Sequence, residues 1–334
     1  MALTNTILAG DIGGTKTLLG LFACNNHRPE PLVITRYSTR DYKDAQHILR
    51  DFICKHAHAK NIHAATLGVA GPIRNASCEL TNIPWKIDST TISGVLNIDL
   101  PNVRLINDVE AMAYAIPVLN SDEVTTLQEG NADLQGNAVL IAPGTGLGAS
   151  VLLKLNNKFV SIASELGHTD YAPRTAKEIL FLQTIIKQFG RASYEHVLSG
   201  RGLSLLHMFT HDAKPCEFVN STETPQADDI TAAAINNKCG RCACALDMFT
   251  STLGSESGNL ALRSLATAGV YIGGGIAPKL LNRLRSHTFL DAFRAKAPME
   301  HILSDIPIHV VLSESLALIG AAVVSSQLIS RNHN

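Results

Sequence analysis

The stretch ILAGDIGGTKT, residues 7–17, decides how the first part of this chain folds. An apolar run enters a glycine-rich turn, and a second short apolar run, Thr17–Phe22, leaves it. The second run carries no helical stripe, so the whole segment predicts two β-strands joined by a tight turn. Glycines allow such a turn to direct backbone N–H groups at phosphate oxygens.

This turn has two other interpretations, of which only the first stays open. A plain hairpin without a ligand is one of them. A Walker A loop is the other, but Thr15 stands where that motif needs glycine, and a strand follows where it needs a helix. A carboxylate in such a turn can hold Mg²⁺ through water, which makes Asp11 the candidate metal residue. The residues that we expect to contact phosphate are Gly10, Asp11, Ile12, Gly13, Gly14 and Thr15.

The glycine-rich pattern recurs in the second half of the chain. The sequence PGTGLG, residues 143–148, separates apolar runs at 138–142 and 149–155 and repeats the first hairpin in miniature. A third segment, GGG at 273–275, lies between a strand at 269–272 and a predicted helix, where exposed backbone suits a nucleotide. Alone, each is an ordinary turn. The candidate nucleotide contacts here are Gly144, Thr145, Gly146, Gly273, Gly274 and Gly275.

The remaining pattern alternates strands with helices and so predicts an α/β protein. Strands are expected at 32–37, 65–70, 103–106 and 308–312, and helices at 45–60, 109–115, 175–189, 202–210, 227–268 with breaks, and 316–329. Single-core domains seldom exceed about 300 residues, so a chain of 334 residues favours two lobes. The duplicated hairpin supports the same expectation.

Composition narrows the function classes. The net charge of −1 comes with no basic stripe, so we expect no nucleic-acid partner. No apolar run approaches the ~20 residues needed to span a bilayer, and no membrane association is expected. The start of the chain lacks the form of a secretory signal, and the odd cysteine count of seven is typical of reduced thiols. A cytoplasmic location follows as an expectation.

Three cysteines lie close together at Cys239, Cys242 and Cys244. A zinc site needs a fourth ligand and usually a second pair of ligands, and neither is evident in the local sequence. The surrounding segment, 232–250, has a helical pattern. We therefore expect these cysteines to be small core or surface residues of a helix.

Taken together, the motifs carry a resemblance. DIGGTKT (11–17), PGTGLG (143–148) and IGGGIAP (272–278) are similar to the phosphate-1, phosphate-2 and adenosine segments of the actin/hexokinase/Hsp70 superfamily. Within it, the chain resembles bacterial ATP-dependent glucokinases through TNIPW (81–85), IND (106–108), SELGHTDYAP (164–173) and EHVLSG (195–200). The cysteine-rich zinc motif of the related repressor/kinase group is missing, because no cysteine occurs between Cys78 and Cys216.

The resemblance implies a two-lobed, actin-like (ribonuclease H-like) fold with a central cleft. Residues 1–118 and about 310–334 would form the small lobe, and 119–309 the large one. Sugar binding would close the lobes and exclude water. It also implies ATP and Mg²⁺ as cofactors, glucose as substrate, a homodimer, and transfer of the γ-phosphate of ATP to the 6-hydroxyl of glucose.

A hexose site needs side chains that donate and accept hydrogen bonds. The resemblance implies that Asn82, Asn107, Asp108, Glu165, His168 and Glu195 contact the sugar. Asp108, predicted between a strand and a helix, is our candidate for the catalytic base that accepts the proton of the attacking hydroxyl. The simpler alternatives are helix capping by Asn107 and Asp108, a buried structural His168, and ordinary surface glutamates.

Three other functions remain as alternatives. The chain could phosphorylate mannose, fructose or an N-acetyl hexosamine, since one substituent decides sugar specificity. A sugar-responsive repressor would need a DNA-reading helix-turn-helix ahead of the first phosphate turn, and that turn begins at residue 10. An actin-like assembly protein would use ATP without needing a polar sugar pocket.

Overall fold

The computed structural model describes residues 5–25, 27–56, 61–156, 158–219 and 225–331. The chain divides into two units. The first consists of Met1–Asn120, Phe159–Ala163 and Ser315–Asn334, and the second of Ser121–Lys158 and Ser164–Glu314. None of the described helices is both long and apolar enough to cross a membrane.

The strands, in chain order, are β1 (Thr6–Ile12), β2 (Lys16–Ala23), β3 (Glu30–Ser38), β4 (Ile62–Val69), β5 (Ile73–Arg74), β6 (Ser77–Glu79), β7 (Lys86–Asp88), β8 (Val103–Asn107), β9 (Val124–Gln128), β10 (Ala138–Pro143), β11 (Leu147–Leu155), β12 (Lys158–Ile162), β13 (Gly269–Ile272) and β14 (Ile308–Val311). The helices are α1 (Ala45–Lys55), α2 (Ser89–Leu96), α3 (Asp108–Ala115), α4 (Ala176–Phe189), α5 (Gly200–Thr210), α6 (Ala227–Ile235), α7 (Gly240–Ser264), α8 (Leu281–Leu284), α9 (His287–Arg294), α10 (Glu300–Asp305) and α11 (Leu316–Arg331). The predicted α/β class is confirmed.

The sheet of the first unit has the strand order β3-β2-β1-β4-β8. β1 pairs antiparallel with β2 and parallel with β4, which in turn pairs parallel with β8. Side chains alternate along β1: Ile7 and Ala9 pack against α11, and Leu8 packs in the cluster that contains α1. Because both faces are covered, this strand is a continuous apolar run rather than an alternating one.

The second unit contains the strand order β11-β10-β13-β14-β9. β10 pairs antiparallel with β11 and parallel with β13. Both units therefore place an antiparallel glycine-turn hairpin beside a parallel strand, as the duplicated sequence pattern indicates. The core of this unit joins β10 to α7, for example through Val139 and Phe249.

The structure departs from the expected elements in several places, of which two lie near the first sheet. The helix predicted for 45–60 ends at Lys55, with His56 as its C-cap, and residues 57–60 lie outside the described part of the chain. The segment between β4 and β8 contains the small antiparallel sheet β5-β6-β7 and α2, for which the sequence pattern suggested no element. Strands of two or three residues are too short to show a period.

Candidate active site

In the first unit, the carboxyl ends of three parallel strands bring the candidate acidic residues together. Asp11 of β1 is opposite Gly68 of β4, and Gly68 is opposite Ile106 of β8. Asn107 ends β8, and Asp108 begins α3. The carboxyl ends of parallel strands are where open α/β sheets bind their ligands.

Gly68 lets the start of α3 approach this edge. A Cβ atom at position 68 would lie 3.1 Å from Ala111 Cβ and 3.9 Å from Asp108 Cα. Burial and, to a smaller extent, the negative charge of Asp108 raise the pKa of Asp11 to about 6, against a smaller opposing effect of Lys16. The two carboxylates are thus close enough to repel each other.

This donor set fits a magnesium ion. Mg²⁺ takes oxygen ligands, keeps several waters and is usually bound through one or two carboxylates. A divalent cation would offset the repulsion that raises the pKa of Asp11. Asp11 is therefore a suitable residue to hold the ion through water, as the sequence suggested.

Asn107 caps helix α3, as the simpler interpretation held. Its Oδ1 accepts hydrogen bonds from the backbone N–H groups of Val109 (2.9 Å) and Glu110 (3.4 Å), and its Nδ2 donates to the Gly71 carbonyl at 3.5 Å. Asp108 Oδ1 also accepts from Val109 N at 2.9 Å. Contact of either residue with sugar stays a prediction.

The first glycine turn closes through a hydrogen bond from Gly13 N to Lys16 O, at 3.0 Å. Gly14 lies against Asn82: a Cβ at Gly14 would be 2.7 Å from Asn82 Cβ. The exposed Asn82 is thus a neighbour of the turn.

Two of the residues expected to contact phosphate have their Cβ positions directed into the core. Gly10 is buried within β1, where a Cβ would press on the Leu67 and Leu19 side chains, and the Ile12 side chain belongs to the core cluster. Only the backbone of these residues is available for a ligand.

In the second unit, the turn between β10 and β11 lies beside the triple-glycine segment. Gly273 N donates to Ile141 O at 2.8 Å, and Ile276 N donates to Pro143 O at 3.3 Å. Gly274 has φ +76°, and a side chain there would overlap the Pro143 carbonyl oxygen. Glycine is therefore required at this position, both for its φ and for its space.

The N-terminus of α5 meets the same turn. Gly200 N, at the start of α5, donates to Gly144 O at 2.9 Å. Two glycine segments and a helix N-terminus thus lie together, which is an arrangement that suits phosphate oxygens. Gly144 itself bonds across the turn to Gly146 O at 2.8 Å.

Glu195 lies against the second glycine turn. Its Oε2 accepts a hydrogen bond from Leu147 N at 3.0 Å. A Cβ at Gly146 would lie 2.6 Å from the same oxygen. Glu195 is therefore a structural partner of the turn as well as a candidate sugar contact.

Glu165 precedes a 3₁₀ turn, Leu166–His168, whose last residue is His168 and which packs against the start of β11. A side chain at Gly167 would overlap the Leu147 carbonyl oxygen, so this element and Glu195 converge on one residue. The Glu165 and His168 side chains are exposed, which contradicts the alternative of a buried His168.

Sequence reasoning missed Arg191. Its guanidinium donates from Nη2 to the His168 carbonyl at 2.7 Å and to Asp170 Oδ1 at 2.7 Å. These contacts orient the backbone of the His168 element. Nothing in the local sequence signals them, because they join residues 21 and 23 positions apart.

A family model described as glucokinase matches residues 8–328. The chain belongs to the glucokinase family. The resemblance inferred from the motifs is confirmed, and so is the assignment to the sugar kinases, which are transferases.

Individual relatives agree with the family match. The chain is 33% identical to the glucokinase of Nostoc sp. PCC 7120 over 96% of this chain and 99% of the relative. The crystal structure of a glucokinase from an Antarctic psychrotroph is 29% identical, with a TM-score of 0.85, over 97% of this chain and 99% of that one. A Streptomyces griseus glucokinase of the ROK family, in complex with glucose and AMPPNP, shares the fold at 20% identity and a TM-score of 0.63, over 97% of this chain and all of that one.

Proposed function

We propose that this chain transfers the γ-phosphate of ATP to the 6-hydroxyl of glucose, giving glucose 6-phosphate and ADP. Family membership supports this reaction, and the fold neighbour from Streptomyces griseus contains glucose and an ATP analogue. The observation that carries the mechanism is the position of Asp108, whose charge acts on Asp11 at the carboxyl ends of the parallel strands.

In this mechanism Asp108 accepts the proton of the attacking hydroxyl. Phosphoryl transfer depends mainly on positioning and charge stabilisation, with an acidic residue that orients the nucleophile. As the first residue of α3, Asp108 sits on a rigid element whose cap is supplied by Asn107. The residues proposed to bind the sugar hydroxyls are Asn82, Asn107, Asp108, Glu165, His168 and Glu195.

Backbone N–H groups of the glycine segments bind the nucleotide phosphates in this proposal. The segments are 10–15, 144–146 and 273–275. Asp11 holds Mg²⁺ through water. When bound, the ion neutralises charge on the phosphate oxygens.

Further properties belong to the same proposal. The fold is the actin-like, ribonuclease H-like one, with 1–118 and about 310–334 as the small lobe and 119–309 as the large lobe. The enzyme is a cytoplasmic homodimer that supplies glycolysis with glucose 6-phosphate. Size-exclusion chromatography with light scattering would test the dimer directly.

The test is a comparison of Asp108→Asn with Glu110→Gln, a carboxylate-to-amide change on the same helix. Glu110 pairs with Arg104 at 3.6 Å and has no proposed role in the reaction. We expect Asp108→Asn to lower kcat by about 10²–10⁴-fold, in the range typical of a lost general base, with Glu110→Gln close to wild type. Substantial turnover by a folded Asp108→Asn protein would overturn the assignment.

A coupled ADP-release assay across a hexose panel tests the substrate. Glucose, mannose, fructose and N-acetylglucosamine should be compared with Mg²⁺ present and after chelation. We expect glucose to give the highest kcat/KM and chelation to abolish turnover. A preference for another hexose would retain the kinase mechanism and change the substrate, whereas ATP-driven filaments without sugar-stimulated ADP release would overturn it.

A further inference from the structure

A cluster of sulfur and imidazole side chains lies in the second unit, separate from the residues assigned to phosphoryl transfer. It consists of His207, His211, Cys216 and Cys242, whose ligand atoms all lie within 4.8 Å of one another. His207, His211 and Cys242 are almost completely buried. Cys242 and Cys244 lie in helix α7, as expected, and the further ligand-type residues around Cys242 are ones that the local sequence did not indicate.

The fold brings these residues together from three segments. His207 lies in α5 and His211 is its C-cap, one helical turn later, with the two rings stacked at a centroid distance of 3.9 Å. Cys216 follows in the next loop, and Cys242 lies in the first turn of α7. The spacing His-x₃-His places both imidazoles on one face of a helix, which is a signal that the sequence did contain.

The distances between donors match those of a tetrahedral zinc site. Zn–S bonds of ~2.3 Å and Zn–N bonds of ~2.0 Å give S···S edges of ~3.8 Å and N···S edges of ~3.5 Å. Cys216 Sγ lies 3.9 Å from Cys242 Sγ, and Cys242 Sγ lies 3.9 Å from His211 Nε2. A single ion can therefore reach these three atoms without rearrangement of the backbone.

His207 supplies an independent observation. Among the described residues, neither its Nδ1 nor its Nε2 has a hydrogen-bond partner, although the side chain is buried. Buried polar atoms are nearly always satisfied, so an orphaned imidazole calls for an explanation such as an ion.

His211 is already oriented as a metal ligand. Its Nδ1 is 2.9 Å from the His207 carbonyl oxygen, to which only an N–H can donate. The proton is therefore on Nδ1, and the lone pair of Nε2 points at the sulfur atoms. Metal-binding histidines are commonly fixed in this way by a hydrogen bond from the other ring nitrogen.

We propose that His207, His211, Cys216 and Cys242 bind one Zn²⁺ ion. Two thiolates and two neutral imidazoles offset the charge of the ion, so the buried site is neutral overall. The two thiol protons pass to solvent when the ion binds. Because four protein ligands leave no open position, the ion has a structural role: it joins the end of α5 to the start of α7.

Two neighbouring cysteines lie outside the proposed set of ligands. Cys239 Sγ lies 3.4 Å from His211 Nε2 but does not belong to the group of four. Cys244 Sγ accepts from Lys177 Nζ at 2.6 Å and provides a matched control. The exposed His287, in α9, is the corresponding histidine control.

The experiment measures the zinc content of the full-length protein by inductively coupled plasma mass spectrometry, after purification without chelator and removal of any affinity tag. We expect about one zinc per chain in wild type, Cys244→Ser and His287→Ala, and at least a fivefold lower content in Cys216→Ser, Cys242→Ser and His207→Ala. Zinc-free wild type after supplementation, or equal zinc in ligand and control variants, would overturn the proposal. A Cys216–Cys242 disulfide in the protein as isolated would also overturn it.

Cobalt substitution gives a readout that does not depend on folding yield. The wild-type protein with Co²⁺ should show visible bands of a tetrahedral ion together with thiolate-to-cobalt charge-transfer absorption. Loss of these bands in Cys239→Ser with retention in His207→Ala would overturn the assignment of His207 as the fourth ligand. Octahedral cobalt spectra would overturn the site as a whole.

The structural role separates this site from the kinase site. Removal of zinc with a strong chelator, followed by buffer exchange and addition of Mg²⁺, should lower the melting temperature by more than about 5 °C. Turnover at low temperature should change by less than about twofold, because the ion takes no part in the reaction. An unchanged melting temperature after verified zinc removal would contradict the structural role, and it would leave the proposed kinase reaction unaffected.

Discussion

The two glycine-turn hairpins have the same architecture, but the carboxylates beside them come from different parts of the chain. In the first, Asp11 belongs to β1 itself, and Asp108 arrives from the end of the parallel strand β8. In the second, β10 ends in Ala142 and Pro143, and the carboxylate comes from Glu195, 48 positions after the Leu147 N–H that it accepts from.

The two hairpins are suited to different electrostatic roles. Two carboxylates near the first turn repel each other, and that repulsion suits a site that binds a cation. The carboxylate near the second turn is held by a backbone N–H, so it positions the turn rather than attracting an ion. The same backbone motif therefore lies in two different electrostatic environments.

Among the changes to the two hairpins, the largest effect is expected from removal of the carboxylate charge of Asp11. Asp11→Asn keeps the size of the side chain but removes the charge that would hold Mg²⁺. We expect kcat to fall by about 10²–10³-fold, comparable to loss of one preorganised electrostatic contact. The measurement is kcat over a series of Mg²⁺ concentrations, with the exposed Asp41→Asn as the matched control. Wild-type turnover by Asp11→Asn would contradict the metal role.

Glycine-to-alanine substitutions test whether the two turns are packed differently. In Gly14→Ala the new Cβ would lie 2.7 Å from Asn82 Cβ, whereas in Gly144→Ala the nearest atom, Gly146 O, is 4.0 Å away. Overpacking should cost Gly14→Ala about 1–3 kcal/mol of the free energy of unfolding, and Gly144→Ala should lie near wild type. Urea denaturation measures both, and equal losses in the two variants would show that the turns are not packed differently.

The positioning role of Glu195 predicts a difference between two substitutions. Glu195→Ala leaves the Leu147 N–H without its acceptor, which should cost about 1–2 kcal/mol of stability. Glu195→Gln keeps an oxygen acceptor and should lose less than half of that. Thermal unfolding of both proteins checks the prediction. If alanine and glutamine were equally destabilising, charge rather than the hydrogen bond would be the important property.

The parts of this fold that the sequence predicts correctly are those encoded by residues close together in the chain. Both glycine hairpins follow from a glycine-rich turn between two short apolar runs, and their strands are confirmed. The convergence of Glu195 with Gly167 on Leu147 depends on packing between distant segments, and no local period encodes it. At Gly10 the Cβ position faces Leu67 in the core, so the predicted contact with phosphate, which stays a prediction, can involve only the backbone.

The cluster of His207, His211, Cys216 and Cys242 shows the same limit of prediction from local sequence. The cysteines near residue 240 looked incomplete because their partners lie 26 to 35 positions earlier in the chain. The His207–His211 spacing was visible, but helices commonly place histidines one turn apart without a metal. Only the packing of α5 against α7 shows that the histidine pair and the cysteines near residue 240 lie in one cluster.

The smallest expected effect is a pH dependence of stability that comes from Asp11. Its pKa is raised from 3.8 to about 6 in the fold, first by burial and then by Asp108. The folded protein therefore binds more protons than the unfolded chain between these values, so this group stabilises the fold below pH 4 and loses that contribution as the pH rises through 6. Because Asp11 is only partly buried, we expect the contribution to be on the order of 1 kcal/mol. In Asp11→Asn it should vanish, so that the variant gains stability over wild type from pH 4 to pH 7. Urea denaturation in the presence of a chelator measures the difference, and parallel stability curves for the two proteins would show that the carboxylates at the first hairpin do not interact.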